Sequence, residues 1–411
     1  MKRKLLSLSM LTALLLCVTT ILASCGSLAF LGGKEDSEDD KETLKESEST
    51  IETESENESG SEAESESETE KESEKESEKE SESTVEDKYQ QRSVKITENL
   101  DKIKVFGRYI KSGTQVTIGW SASGIEFVAD CKGDVNVIFY SSAVADFAVY
   151  IDGIEQPALS VSTLKSNYKL NSQPLAEGEH TFRIVKRSNV ETGISRFETI
   201  KLQGSLLSCE NMDAKLIEFV GDSITCGSGL FEGRENDFDA TKAYSYLLAN
   251  TLGYDWSMVS VSGIGIHKSN ARHGTNMNLQ YGKTNYKMSD AAYTPVKKAD
   301  IVVVNLNTND HNNGATEAEY KATVTEFIGK VRAMHGADVP IVWVCGMMID
   351  ANKPVNGWLS DVFAAQGGEN AGLYTVTVTK NNDAPYSHPD AEANIIVANE
   401  IHLFLKNKKL V

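Results

Sequence analysis

Positive charge is too scarce in this sequence for a nucleic-acid role. Its 41 Lys and Arg face 60 Asp and Glu, for a formal net charge of −19, which excludes binding driven by bulk attraction to a phosphate backbone. Metal-ligand spacing is missing as well. None of Cys131, Cys209, Cys226 and Cys345 stands in a CxxC or Cys/His pattern, so a structural zinc site has no support. Nothing in the spacing pairs these four cysteines, and no disulfide is assigned. Aliphatic residues are nearly absent from residues 34–88, where 25 acidic and 7 basic side chains alternate with serine, a net of −18 that leaves the rest of the chain close to neutral. Such a stretch buries too little apolar surface to offset its ordering entropy, so it is expected to be an extended tether without a fold.

What is present begins with a targeting segment. Lys2, Arg3 and Lys4 precede an apolar run over residues 5–22, followed by Leu22-Ala23-Ser24-Cys25-Gly26. This resembles a bacterial lipoprotein signal, with residues 1–24 removed and Cys25 as the lipid attachment point. A diacylglycerol supplies two chains at about 0.8 kcal/mol per buried methylene. The expected location is therefore the extracellular face of a membrane, with residues 25–90 as the tether.

Two folded parts follow. Residues 95–207 read as short strands with turn punctuation, among them 115–120, 124–128, 135–140 and 147–151, with Asp152-Gly153 and Glu177-Gly178 as turns. No helical pattern intervenes, which predicts an all-β sandwich or jelly roll. From residue 208 to 411 strand and helix alternate: strands at 215–220, 257–261, 299–305, 340–344 and 373–378, with helical periodicity at 241–252, 315–335, 358–365 and 391–406. The apolar run at 299–305 suits a strand covered on both faces. This predicts a three-layer α/β domain, a parallel sheet with helices on both faces, whose site lies at the carboxyl ends of its strands.

Polar residues stand where such a sheet would use them. Ser223 ends the first strand in Gly221-Asp222-Ser223-Ile224-Thr225-Cys226-Gly227, Ser262-Gly263 ends the second, and Asn305-Leu306-Asn307-Thr308-Asn309-Asp310 the third; His388 precedes the last helix. A hydroxyl, an imidazole and several amide donors at one sheet edge meet the needs of acyl transfer.

These runs resemble the blocks of the SGNH/GDSL hydrolases: residues 218–227 resemble block I, Gly263 block II, Thr308-Asn309-Asp310 block III and His388-Pro389 block V. With the upstream β module, including Gly107-Arg108, Trp120-Ser121 and residues 178–187, the chain is similar to the two-domain carbohydrate esterase family 2. The resemblance implies a flavodoxin-like SGNH domain behind a jelly-roll module and deacetylation of xylan, glucomannan or a similar plant polysaccharide, which would suit a surface-tethered enzyme of a Gram-positive fibre degrader. It implies Ser223 as nucleophile and His388 as base. The Ser223 and Gly263 amides and the Asn309 side chain would form the oxyanion hole, with no metal or organic cofactor.

Two positions depart from the family pattern. Asn307 stands where block III usually has glycine, and a side chain there is expected to crowd the site or reshape the loop. Pro385 stands where block V usually has aspartate, so a dyad is favoured, with Asp383 as a weak helper and Asp390 or a backbone carbonyl as other candidates. Trp358, read as lying in a polar loop, and His311 are candidate sugar contacts; His267 and His273 are read as surface residues, and Trp343 and Cys226 as packing. Alternatives are another SGNH activity, lipase-like or thioester-directed, and a catalytically silent glycan-binding surface protein.

Overall fold

Alternation of buried and more exposed side chains builds the β part. A computed structural model describes residues 88–230, 238–288, 292–383 and 387–411. The signal, Cys25, nearly all of the tether and Pro385 lie outside the described residues. Ten antiparallel strands come first: β1 (Gln91–Lys95), β2 (Lys104–Phe106), β3 (Tyr109–Ser112), β4 (Gln115–Ile118), β5 (Gly124–Ser141), β6 (Ala145–Ile151), β7 (Ile154–Val161), β8 (Ser166–Lys169), β9 (Leu175–Lys186) and β10 (Ser195–Leu207). In β5, Val135, Val137 and Phe139 are buried while Asn136, Ile138 and Tyr140 are only half-buried, as the period of two requires. Phe139 stacks on Phe197 at 4.6 Å and meets Phe147 edge-on at 5.3 Å, so aromatics from three strands fill the sandwich core. β1 starts four residues ahead of the expected 95. It runs along β10 and is largely exposed, so its sequence carries no apolar alternation to reveal it.

The second part is a five-stranded sheet, every pair of neighbours parallel: β11 (Leu216–Gly221), β12 (Asp255–Ser260), β13 (Ile301–Asn305), β14 (Ile341–Cys345) and β15 (Leu373–Thr377), in the order β12-β11-β13-β14-β15. Its helices are α1 (Tyr244–Leu252), α2 (Met277–Gln280), α3 (Thr308–Asn312), α4 (Glu317–His335), α5 (Pro354–Ala365) and α6 (Ala391–Asn407). Alternate strand residues serve opposite faces. Val220, Val302, Val304 and Trp343 pack under Phe327 and Val331 of α4 and Leu359 and Phe363 of α5. Phe219, Val303 and Val344 pack under Leu248 of α1 and Ile401 and Leu405 of α6. The result is the expected three layers. α5 begins at Pro354, four residues before the expected 358, because Pro at the first helical position loses no needed N–H.

The sandwich grips the α/β part through side chains from both. Phe106 stacks on Trp256 at 3.8 Å, and Trp256 Nε1 donates to Ala122 O at 2.8 Å. Arg108, fully buried, pairs with the equally buried Glu218 of β11 at 3.1 Å. The Glu218 carboxylate also accepts from Tyr281 OH (2.8 Å), His335 Nε2 (3.0 Å) and Ser257 Oγ (2.9 Å). Burial alone would raise this carboxyl; the Arg108 charge, helped by His335 and Tyr281, holds it at about 2. Trp120 of the sandwich joins the α/β core itself.

Candidate active site

In a parallel sheet of this strand order the crevice opens where the winding reverses, between β11 and β13 at their carboxyl ends. Ser223 leaves β11 two residues past its end, and Asn309 lies on α3 just past β13; Gly263 follows the neighbouring β12. The chain turns hard at Ser223. The Cys226 N–H donates to Asp222 O (3.2 Å), the Ser228 N–H to Ser223 O (2.9 Å), and the Ile224 N–H to Asp222 Oδ1 (3.0 Å). Glycine is needed at 221 for space: a Cβ there would lie 1.9 Å from Thr225 Oγ1. The side chain of Asp222 thus holds the turn, as a structural residue would.

Donors gather around this turn. The N–H groups of Ser223 and Gly263 donate to no acceptor among the described residues. Asn309 Nδ2 donates to Asp222 Oδ2 (3.1 Å) and Ile264 O (3.0 Å), which ties the ends of β11, β12 and β13 into one unit. Asp310 accepts three N–H bonds, from Ile266, His267 and Lys268 at 2.8, 2.9 and 2.7 Å, and so pins the loop that carries Gly263. Burial pushes Asp222 and Asp310 each up to about 7, against the N–H bonds they accept, and the Asp310 charge adds to the rise at Asp222.

His388 comes three residues before α6, and both its ring nitrogens are buried. The start of α6 is tied to the serine turn: Asn394 Nδ2 donates to Pro389 O (3.4 Å) and Asp390 O (2.8 Å), Asn394 Oδ1 accepts the Tyr244 N–H (2.9 Å), and Tyr244 OH meets Thr225 Oγ1 at 3.0 Å. Ser223 and His388 therefore come to the same end of the sheet. Asp383 is exposed, its carboxylate accepting from Asn381 Nδ2 at 3.0 Å. Asp390 caps α6, taking the Ala393 N–H at 2.7 Å.

Several side chains sit otherwise than the sequence suggested. Asn307 does not crowd the crevice: it is buried, with Oδ1 accepting from Tyr320 OH (2.6 Å) and Trp343 Nε1 (2.9 Å) and Nδ2 donating to Asn356 Oδ1 (2.6 Å). Trp358 lies on α5, not in a polar loop, packed on the core with its ring 6.0 Å from Tyr320. His273 is buried, not superficial, with Nε2 2.8 Å from Ser262 O and Nδ1 2.8 Å from Tyr286 OH. A long loop placed it, and no local pattern marks such a residue. His311 is half-buried on α3, and His267 bonds Thr323 Oγ1 at 2.8 Å. Cys226 is fully buried, and burial drives its thiol far upward, which leaves it as packing. Among the described residues no three His, Cys, Asp or Glu side chains gather as a metal site.

Comparison with known proteins agrees with this architecture. Residues 219–403 match the GDSL-like Lipase/Acylhydrolase family and residues 105–209 the carbohydrate esterase 2 N-terminal domain. The cellulase/esterase CelE of Acetivibrio thermocellus is 29% identical over 228 residues, 52% of this chain but 27% of CelE, so the chain spans about a quarter of that relative. A family two carbohydrate esterase from Clostridium thermocellum, solved with cellohexaose, superposes with a TM-score of 0.69 at 24% identity, over 75% of this chain and 100% of the other. The acetyl xylan esterase Est2A from the rumen bacterium Butyrivibrio proteoclasticus gives 0.69 at 18% identity, over 78% and 99%. At these identities the two structures speak for the fold. The chain thus carries a GDSL-like lipase/acylhydrolase domain preceded by a carbohydrate esterase 2 N-terminal domain, and its structural neighbours are family 2 carbohydrate esterases.

Proposed function

We propose that this protein is a serine esterase that removes O-acetyl groups from a plant cell-wall polysaccharide such as xylan or glucomannan. Ser223 attacks the acetyl carbonyl, and His388 takes its proton and returns it to the leaving sugar oxygen. Water then hydrolyses the acetyl-enzyme. The tetrahedral oxyanion is received by the Ser223 and Gly263 N–H groups. Asn309 serves as third donor by turning its amide from Asp222 toward the oxyanion. Asp383, bonded to Asn381, and Asp390, engaged as a cap, leave a Ser-His dyad as the working arrangement.

The observation that carries this reading is the pair of undonated N–H groups at 223 and 263, beside an asparagine amide at the carboxyl end of a parallel sheet. Two N–H groups left without an acceptor at adjoining strand ends are apt for charge that develops only during reaction. Relatives that include an acetyl xylan esterase and an esterase solved with cellohexaose support an acetylated glycan as substrate. The proposed location is the outer face of a membrane, through lipid on Cys25; palmitate labelling should be lost in Cys25→Ala.

Chromogenic acetate hydrolysis by wild type and Ser223→Ala tests the chemistry. Loss of kcat by at least about 10³-fold is expected, because the nucleophile and base act as a unit. Undiminished turnover in Ser223→Ala would overturn it. Acetate release from acetylated xylan and glucomannan, compared with longer acyl esters, tests the substrate.

A further inference from the structure

The Ser262–Gly263 peptide is gripped from one side only. His273 Nε2 and Arg272 Nη2 both reach Ser262 O, each at 2.8 Å. A carbonyl only accepts, so Nε2 carries the proton, and Nδ1 in turn accepts from Tyr286 OH at 2.8 Å. On the next peptide, Gly263 O accepts the Asn270 N–H at 2.9 Å. In a trans peptide the C=O and N–H point in opposite directions. Fixing the Ser262 oxygen on the His273 side therefore aims the Gly263 N–H away from it, and that N–H is one of the two without an acceptor among the described residues. Gly263 has φ +82°, and a Cβ there would stand 3.1 Å from His273 Nε2. The grip extends into the other domain: Glu191, between β9 and β10 of the sandwich, lies 3.6 Å from Arg272 Nη1 and 4.0 Å from His273 Nδ1, and is held by Asn189 Nδ2 at 3.1 Å.

We infer that His273 and Arg272, the latter braced by Glu191 of the β sandwich, are positioning residues that orient the Gly263 N–H as an oxyanion donor. The inference rests on the esterase reading above. The β sandwich then acts on catalysis through one carboxylate without touching the reacting atoms.

Full-length His273→Phe, His273→Gln, Arg272→Met and Glu191→Gln should be compared with wild type and Ser223→Ala on a small chromogenic acetate. Deleting an oxyanion donor typically costs 10²–10³ in kcat. Misaiming one in His273→Phe or Arg272→Met should lower kcat by roughly 10–100-fold at nearly constant KM, since the donor serves the transition state. His273→Gln keeps an N–H near the Nε2 position and should restore most of the loss, and Glu191→Gln should fall between wild type and Arg272→Met. Wild-type kcat in folded Arg272→Met, or a rise in KM alone, would overturn the inference, and Arg272, half-exposed, decides the matter if His273→Phe does not fold. Activity surviving in Ser223→Ala would instead indict the esterase reading.

Discussion

At the scale of single residues, Lys186 is the most exposed to test, because its side chain is wholly buried. Its Nζ donates to Gly119 O (3.0 Å) and Gly193 O (2.5 Å), and it has no ion-pair partner among the described residues. Burial pulls the amine from its ordinary 10.5 down to about 7. Between those values the unfolded chain binds a proton that the folded chain does not. Stability should therefore rise with pH from about 7 to 10.5, by at most ~1.4 kcal/mol per unit, with this contribution level below about 7 and above 10.5. Chemical denaturation across that window should show the slope in wild type and lose it in Lys186→Met; an equal slope in both sinks the assignment. Asn307 makes a second case. Replacing it with the glycine usual in the family would strand the Tyr320 hydroxyl, the Trp343 indole N–H and the Asn356 amide. Asn307→Gly should cost roughly 2–4 kcal/mol while leaving kcat on a small acetate near wild type, read by denaturant midpoint and initial rates. The presence of Asn307 was plain in the sequence; the direction of its side chain was not, since only the packed neighbours define it.

Among the elements, α6 ties helix capping to the site. Asp390 caps it and stands two residues after His388. If capping is the whole of its role, Asp390→Asn should keep both the stability and the pH–rate profile of wild type, whereas Asp390→Ala should lose about 1 kcal/mol. A profile displaced in Asp390→Asn would make this carboxylate a partner of the histidine instead. α4 opens with a capping box, Thr316 with Glu319, so Thr316→Ala should cost a similar amount, measured by thermal unfolding, without touching activity. The long helices and the buried strands were legible because their apolar periods are continuous. β1 escaped because it is polar and largely exposed, and the first turn of α5 because it holds Pro354 and Gly357, residues that ordinarily punctuate a helical pattern.

For the whole molecule, the Arg108–Glu218 pair is the joint that matters. It is fully buried and spans the sandwich and the α/β sheet, and Arg108 also lies over the rings of Tyr281 (4.8 Å) and Tyr293 (4.5 Å). Arg108→Met leaves a buried carboxylate without its cation and should destabilise by roughly 3–5 kcal/mol. The double variant Arg108→Met with Glu218→Met should recover much of that loss, because it removes the stranded charge as well. If the double variant is no better than the single one in denaturant unfolding, the network is not governed by that charge.

By itself the sequence determined the class of each half and the places where chemistry could occur. Period-two and helical patterns record which faces must be buried, and a serine, a glycine, an asparagine and a histidine stood at strand or helix ends. Tertiary structure alone decided which distant groups meet: Arg108 with Glu218 and Asn309 with Asp222. The reason is that burial is a property of local pattern, whereas a hydrogen bond between residues 87 or 110 positions apart depends on the path of the whole chain, which no short window of sequence contains.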